Sequence, residues 1–276
     1  MGFLEALQDP KISEIVLLGD VVLDPRGSGE RDPILITRNV TITSPPGTPR
    51  SSLPALDFSF QQDEATIGVN VTVTFKSVML KNMRKGSGLG MDFFGGLQGS
   101  TIVCIDVPRW RYMCAAADAA LASANSYPRP SDLPGKNLVR LQNEYHRGTW
   151  YNSSLHYVSF ALHVMSDNSE SDAWLPGYAM VLRNSTRICQ TYISPECESV
   201  KSLDQCQVDG VDAWLAAMDD DTQDESWKQK VAAGVASGVG AALVLAAGAF
   251  VWRRRRLRRR RMAWENEAAD PATFGG

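Results

Sequence analysis

The chain has 276 residues, of which 44% are hydrophobic and 21% charged, and this composition excludes wholesale disorder. Its net charge of −3 hides an uneven distribution. Eight arginines and three acids follow residue 252, whereas 20 basic and 28 acidic residues precede it. An acidic body with a basic tail argues against a simple soluble protein and against a nucleic-acid binder with a basic main domain.

The amino-terminal region predicts a short helix over Phe3–Gln8, ended by Asp9 and Pro10, that covers the open end of the repeat after it. The first 20 residues lack the basic segment and the unbroken apolar stretch of a secretory signal. Because an outward-facing domain needs an export signal, we expect that the sequence starts inside a longer chain. Alternatively, a later apolar helix directs membrane insertion by itself.

A repeat occupies the first hundred residues. Three segments align without gaps, Ile15–Leu23, Ile34–Ile42 and Ala65–Val73, and a fourth, Thr101–Val107, fits from its third residue. Each segment has Asp or Asn at one shared position, followed by Val. These shared positions are Asp20, Asn39, Asn70 and Asp106.

The repeat segments are rich in β-branched and aliphatic residues that alternate with polar ones, which predicts strands. Strands at such intervals are typical of the stacked coils of a parallel β-helix, in which each coil covers the apolar face of the next. The shared Asx residues would then stack at one inward corner. The alternative is a β-sandwich with coincidental spacing. The pieces Ala55–Phe60 and Phe75–Lys81 would supply the other sides of the coils.

The chain divides by pattern into five regions. They are a repeat region (1–107), a β-rich part with a helical insertion and cysteines (108–217), an acidic linker (218–230), an apolar span (231–252) and a basic tail (253–276). In the second region we expect helices over Arg111–Asn125 and Val208–Met218. Strands are expected over Leu138–Gln142, Leu155–Met165 and Tyr178–Arg183.

Residues 3–107 resemble the pectin-lyase-like ectodomains of green-algal single-pass membrane proteins, including receptor-like kinases. The matching stretches are FLEALQDP, IVLLGDVVL, ITRNVTI, ALDFSF and VTVTFKSVMLKN, in that order. The resemblance implies a mainly β fold, with a right-handed parallel β-helix-like ectodomain, a helical insertion and one transmembrane α-helix. Only 15 residues follow the arginine block, so no kinase domain is carried over.

Five cysteines precede the apolar span: Cys104, Cys114, Cys189, Cys197 and Cys206. In an oxidising compartment this distribution suggests disulfides, and we expect Cys104 to pair with Cys114 and one pair to form within the later three. None of the cysteines forms a C-x-x-C, and the three histidines do not complete a zinc pattern. We therefore expect no metal and no cofactor.

Four glycosylation sequons precede the span, at Asn39, Asn70, Asn152 and Asn184. We expect glycans at Asn152 and Asn184. At Asn39 and Asn70 there are two alternatives. Either these residues carry glycans, or they belong to the inward Asx stack, where the side chain would be unavailable for glycosylation.

Val231–Trp252 contains no charged residue, and as a helix its length of about 33 Å would cross a bilayer core of about 30 Å. The arginines of Arg253–Arg261 then stay on the cytoplasmic side, since each costs about 2.5–3.5 kcal/mol at mid-membrane. They are expected to bind anionic lipid. Gly234 and Gly238 form a G-x-x-x-G that could pair two spans into a homodimer. The alternative is a buried helix followed by a nuclear-import signal.

No catalytic signature accompanies the repeat. Asp57 and Asp92 lie in similar Asp-Phe contexts, but we interpret them as coil corners and expect no catalytic residues. The sequence therefore predicts a plasma-membrane glycoprotein, not an enzyme, whose amino-terminal domain faces outside or a lumen and serves adhesion, wall contact or ligand reception. Its ligand would be a polysaccharide or a protein, with no nucleic acid involved. The alternative is a membrane-tethered carbohydrate-active lyase or hydrolase.

Overall fold

Short strands dominate the structure, a computed structural model that describes residues 2–24, 32–164 and 177–218. The chain divides into two units, Met1–Asp212 and Ala213–Gly276, and in the second unit residues 213–218 are described and helical. The strands are β1 (Glu14–Val16), β2 (Val21–Val22), β3 (Ile34–Ile36), β4 (Val40–Thr43), β5 (Ala55–Asp57), β6 (Ala65–Ile67), β7 (Thr72–Lys76), β8 (Met79–Lys81), β9 (Phe94–Gly96), β10 (Thr101–Ile105), β11 (Pro108–Cys114), β12 (Leu138–His146), β13 (Thr149–Val164) and β14 (Tyr178–Tyr192). The helices are α1 (Phe3–Gln8), α2 (Ala117–Ser126) and α3 (Pro195–Glu198), and residues 203–218 are also helical.

The strands form three parallel stacks that the chain visits in turn. The first stack contains β1, β4, β7, β10 and the first part of β14. The second contains β2, β5, β8, β11 and the last part of β14, and the third contains β3, β6 and β9. This mainly β, curled parallel sheet is consistent with the predicted β-helix-like fold.

The register of the first stack brings inward-facing residues directly above one another. Ile15, Ile42, Phe75, Cys104 and Leu182 are successive partners, and all are buried. The first four are 27, 33 and 29 residues apart in the chain, so coil length varies while the register is kept. Aromatic rings fill the middle, where the Phe93 ring lies 4.8 Å from that of Phe94 and 5.2 Å from that of Phe58.

The expected single Asx corner is wrong, because the four residues divide between two corners. Asn39 and Asn70 precede first-stack strands, whereas Asp106 directly follows one and Asp20 directly precedes β2 of the second stack. Both corners need residues that tolerate tight turns, so the sequence alignment superimposed two different bends.

At the corner after the first stack, the stacked residues are Ser77, Asp106 and Asn184. All three have left-handed backbones, with φ of 51°, 57° and 50°. The Ser77 N–H donates to the Ile105 carbonyl and the Asp106 N–H donates to the Arg183 carbonyl. The Asn184 side-chain amide donates to the Asp106 carboxylate. This stack of corner residues therefore includes one of the four aligned Asx residues, Asp106, and two residues outside the alignment.

Helix α1 covers the open end of the stack, as the sequence predicted. Phe3 and Leu7 are buried in the core that contains Ile15 and Ile36. The Arg38 guanidinium fastens the helix, since its Nη2, Nη1 and Nε donate to the carbonyls of Ala6, Leu7 and Ile12 at 3.0, 3.0 and 2.5 Å. These include carbonyls at the end of α1 that have no partner inside the helix.

The region after β10 differs from the prediction. The expected helix over Arg111–Asn125 begins later, at Ala117, because Arg111–Cys114 extend β11, where Arg111 and Cys114 lie beside Cys189 and Tyr192 of β14. Tertiary pairing here overrides the local preference of an alanine-rich segment. The long strands β12 and β13 form an antiparallel hairpin, and β13 pairs antiparallel with β14.

Among the described residues, no helix is long and apolar enough to cross a membrane. The predicted span Val231–Trp252, its Gly234 and Gly238, and the arginines of Arg253–Arg261 lie outside the described residues.

Replacing Arg38 with leucine should release α1 from the stack. The variant leaves three carbonyls without their charged donor, so we expect a loss of about 2–3 kcal/mol in the free energy of unfolding and faster proteolysis near the amino terminus. Urea unfolding and limited proteolysis measure both effects. Lys11→Leu, at an exposed position close to α1, is the control, and equal behaviour of the two variants would contradict the fastening role.

Candidate functional site

Two disulfides crosslink the second half of the described chain. Cys114 pairs with Cys189 and Cys197 with Cys206, with Cα–Cα distances of 5.9 and 6.0 Å. The pair expected within the later three cysteines is confirmed. Both bonds are compatible with an oxidising compartment and so with an extracellular domain.

The expected Cys104–Cys114 bond is wrong. Cys104 is a free, fully buried thiol in the inward column of the first stack, between Phe75 and Leu182. Cys114 lies at the end of a strand in the second stack, near Cys189 on the neighbouring strand. The two cysteines are close in sequence but belong to different faces of one coil, so their side chains do not meet. Burial raises the pKa of the Cys104 thiol to about 11, so it behaves as an apolar core residue.

The four sequon asparagines are all exposed. Asn39 and Asn70 are therefore not inward, and the expectation that an inward stack withholds them is wrong. The Asn39 side-chain oxygen accepts a hydrogen bond from the Thr72 N–H at 2.8 Å. Asn184 differs, because the amide nitrogen that would carry a glycan already donates to Asp106. Asn152 lies on β13, in the antiparallel hairpin.

The two aspartates weighed as a catalytic pair have separate partners. Asp57 accepts from the Asn82 amide at 2.8 Å, and its carboxylate is 3.9 Å from the Lys81 ammonium. Asp92 pairs with Arg84 at 3.3 Å. The structure thus gives both carboxylates ion-pair partners. In the part of the chain that the structure describes, no cluster of His, Cys, Asp or Glu could hold a metal ion.

The second stack contains an unexpected change of chemistry in its inward column. Leu56 and Leu80 are successive inward partners, followed by Arg109 and then Arg187. Leu56 and Leu80 are fully buried, and Arg109 is only 2% exposed. Arg111, two residues further on the same face of β11, is 7% exposed. The stacking that packs leucines in the first coils therefore brings arginines together in the last ones.

These arginines are only partly satisfied by hydrogen bonds. The Arg109 Nη2 donates to the Leu89 carbonyl at 2.5 Å, but its Nε and Nη1 are buried without a hydrogen-bond partner. Arg111 donates to the carbonyls of Gly88, at 2.8 Å, and Gly86. The buried Nε of Arg187 also has no hydrogen-bond partner. Carbonyl oxygens satisfy donors but supply no negative charge.

No ion pair within the described residues includes Arg109, Arg111 or Arg187. Burial, reinforced by the charges of Arg187, Arg109 and Arg84, lowers the pKa of Arg111 to about 9. The positive charge also affects Asp204. Its pKa is lowered first by bonds from Ser87 and then by Arg84 and Arg111. The cluster is therefore strongly positive in a poorly hydrated place.

A pocket of about 190 Å³ opens onto this cluster. Arg111 and Arg187 line it on the side of the stack, and Tyr157 lines it from β13 of the hairpin. Leu203 and Gln207 line it on the side of the carboxy-terminal helix. Helix α2 forms another wall with small side chains only, namely Ala119, Ala120, Ser123 and Ala124. The α2 side chains on this wall are too short to fill the space before the arginines.

The Cys197–Cys206 disulfide and polar contacts hold the carboxy-terminal wall. Asp204 accepts from the Ser87 N–H and hydroxyl at 2.6 and 2.7 Å, and the Gln207 amide donates to the Met113 carbonyl at 2.6 Å. Lys85 pairs with Asp212 at 2.7 Å. The wall is thus anchored to the same loop whose carbonyls bind Arg109 and Arg111.

Sequence reasoning missed this site. The usable signal is the run Pro108–Cys114, PRWRYMC, in which Arg109 and Arg111 alternate with aromatic residues as in a strand. Only the register of β11 and β14, which puts Arg187 beside Arg109, shows that three arginines meet.

A second polar cluster lies where the β12–β13 hairpin meets the stack. Glu144 pairs with Arg50 at 2.7 Å and accepts from Thr186 at 3.1 Å. His156 contacts Thr186 and His146 contacts the Arg50 carbonyl, both at 3.2 Å. These groups are mostly buried and mutually bonded, which makes the cluster an attachment of the hairpin.

Compared with protein-family models, curated proteins and solved structures, the chain shows no significant match. The functional assignment therefore depends on the geometry of the described residues.

The histidines of the hairpin cluster should make the fold sensitive to mild acid. Burial lowers the pKa of His146 and His156, so the unfolded chain takes up their protons first. This contribution is fully present above about pH 6.5 and is lost as the pH falls below it, by at most about 1.4 kcal/mol per pH unit for each histidine. Urea unfolding between about pH 7.5 and 5 measures it.

His156→Gln should flatten this pH dependence, because one of the two buried groups no longer takes up a proton on unfolding. His163→Gln, at an exposed position, is the matched control and should not flatten the slope. A slope that is identical in both variants would refute the assignment to the buried histidines.

Proposed function

We propose that this chain is a single-pass membrane glycoprotein of the plasma membrane whose amino-terminal part is a ligand-receiving ectodomain. In this proposal the stacked strands form a right-handed parallel β-helix of the pectin-lyase-like type. The observation that carries it is the pair of disulfides on the amino-terminal side of the uncharged span. Disulfides persist outside the cytosol, and the arginine block stays inside it.

The exposed sequons support the same orientation. Asn152 offers its amide on the hairpin, so it is the preferred glycosylation site. Asn39 and Asn70 are exposed as well and become stronger candidates than the sequence suggested. At Asn184 a glycan would have to replace the bond to Asp106, so this position becomes the weakest candidate.

Ligand reception, as opposed to adhesion through a featureless surface, is supported by the arginine pocket. Its described lining combines apolar side chains with a few Arg, Tyr, Gln and Ser side chains that can orient a bound polar molecule. This lining supports a binding role.

The remaining partners follow from the membrane assignment. The arginines of Arg253–Arg261 would bind anionic lipid at the inner face, at about 1 kcal/mol each. Gly234 and Gly238 would let two spans approach closely and form a homodimer.

Topology tests the proposal directly. The full chain, preceded by a cleavable signal peptide and tagged at its carboxy terminus, should resist carbonate extraction and keep the tag accessible from the cytosol. Asn152→Gln should remove one glycosidase-sensitive mass step on a gel. A chain that carbonate extracts, or that carries no glycan, would overturn the proposal.

A span variant provides the matched control. Leu243→Arg with Leu245→Arg adds two mid-membrane charges, each costing about 2.5–3.5 kcal/mol, so this chain should be released into the lumen. Retention of the variant in the membrane would show that residues 231–252 are not the anchor.

A further inference from the structure

We infer that the arginine pocket is an oxyanion site: it takes a ligand that carries a carboxylate, sulfate or phosphate group at Arg111 and Arg187. The inference rests on the proposed ligand-receiving role and adds the chemical class of the ligand. It does not depend on which side of a membrane the pocket faces.

The first step is the charge balance. Four arginines interact here, namely Arg84, Arg109, Arg111 and Arg187, since each of the other three lowers the pKa of Arg111. The acids connected to them are Asp92, which pairs with Arg84, and Asp204, which binds Ser87. Four positive charges against two negative ones leave an excess that a buried site tolerates poorly unless an anion arrives.

The second step is the supply of donors. Both Nη atoms of Arg111 are used by carbonyl oxygens, so Arg111 acts on a ligand chiefly through its charge. Arg187 lines the same pocket, and its fully buried Nε is closed to a ligand, so its terminal Nη groups are the ones that face an anion. Arg187 is therefore the direct donor, since a guanidinium binds planar or tetrahedral oxyanions through paired N–H groups.

The third step is the shape of the pocket. Its volume of about 190 Å³ leaves room next to an oxyanion for a small apolar or ring-shaped body. That body would lie against Ala119 and Ala120 of α2 and against Tyr157. Tyr127, which is 43% exposed, stands at the rim. The pocket thus fits a small organic anion, or the anionic end of a larger molecule, better than it fits a bare inorganic ion.

The test uses the purified full chain in detergent. Inorganic sulfate, inorganic phosphate, acetate and benzoate are titrated at constant ionic strength, with chloride as the balancing anion, and binding is followed by calorimetry and thermal unfolding. We expect saturable binding and a rise in Tm with at least one oxyanion, because a ligand of the folded state stabilises it. Tighter binding of benzoate than of acetate would support the prediction that an apolar part of the ligand binds beside its oxyanion.

Arg187→Gln should weaken binding by about tenfold or more, which corresponds to about 1.4 kcal/mol. It should also raise the Tm of the anion-free chain, because it removes a partly buried charge that lies beside Arg109 and has no ion-pair partner among the described residues. A merely structural arginine predicts the opposite shift. Arg183→Gln, on the same strand but exposed, is the matched control and should change neither quantity.

A second pair of variants does not touch the charges. Ser123→Phe, at the exposed mouth of the pocket, should block binding, whereas Ala122→Phe, exposed on the same helix and outside the pocket, should not. The inference is overturned if no oxyanion binds saturably, if Arg187→Gln binds as the control does, or if both phenylalanine variants bind equally. The topology experiment is independent of these results, so failure of one proposal is distinguishable from failure of the other.

Discussion

Register is the constraint on which this structure depends. In a parallel stack, each inward side chain lies directly above its partner in the preceding coil, so every coil must offer compatible chemistry at the same position. The column from Ile15 through Ile42 and Phe75 to Cys104 meets this requirement with apolar groups of different size. It also explains why Cys104 remains a thiol, since its place in the column keeps it away from every other cysteine.

The same constraint makes the arginine pocket unusual. Where β11 and β14 complete the second stack, the inward column continues with Arg109 and Arg187 in place of leucine. Leucine there would extend the apolar core, whereas arginine concentrates positive charge in a poorly hydrated interior. Retaining arginines at positions that packing alone would fill with aliphatic residues is the pattern expected of a site where function opposes stability.

The ends of a stack need closure, because the last coil has no neighbour. At one end α1 buries Phe3 and Leu7, and Arg38 binds the exposed carbonyls of the helix. Toward the other end the chain leaves the stack after Cys114 and returns through β14, and the Cys114–Cys189 bond joins the two strands beside this excursion. The segment between β11 and β14 also contains α2, which packs Ala120 and Ala124 into the core and lines the pocket. The same segment therefore contributes to both the core and the pocket.

The sequence by itself determined the parallel stacked strands, the capping helix and the presence of a disulfide among the last three cysteines, because alternation, turn residues and spacing are local signals. The extent of β11, the two separate Asx corners, the partner of Cys114 and the meeting of Arg109, Arg111 and Arg187 were decided only by the tertiary structure. Each depends on which residues of distant strands lie side by side. Coils of 27, 33 and 29 residues hide that register from any fixed period, so the contacts appear only when the coils are stacked.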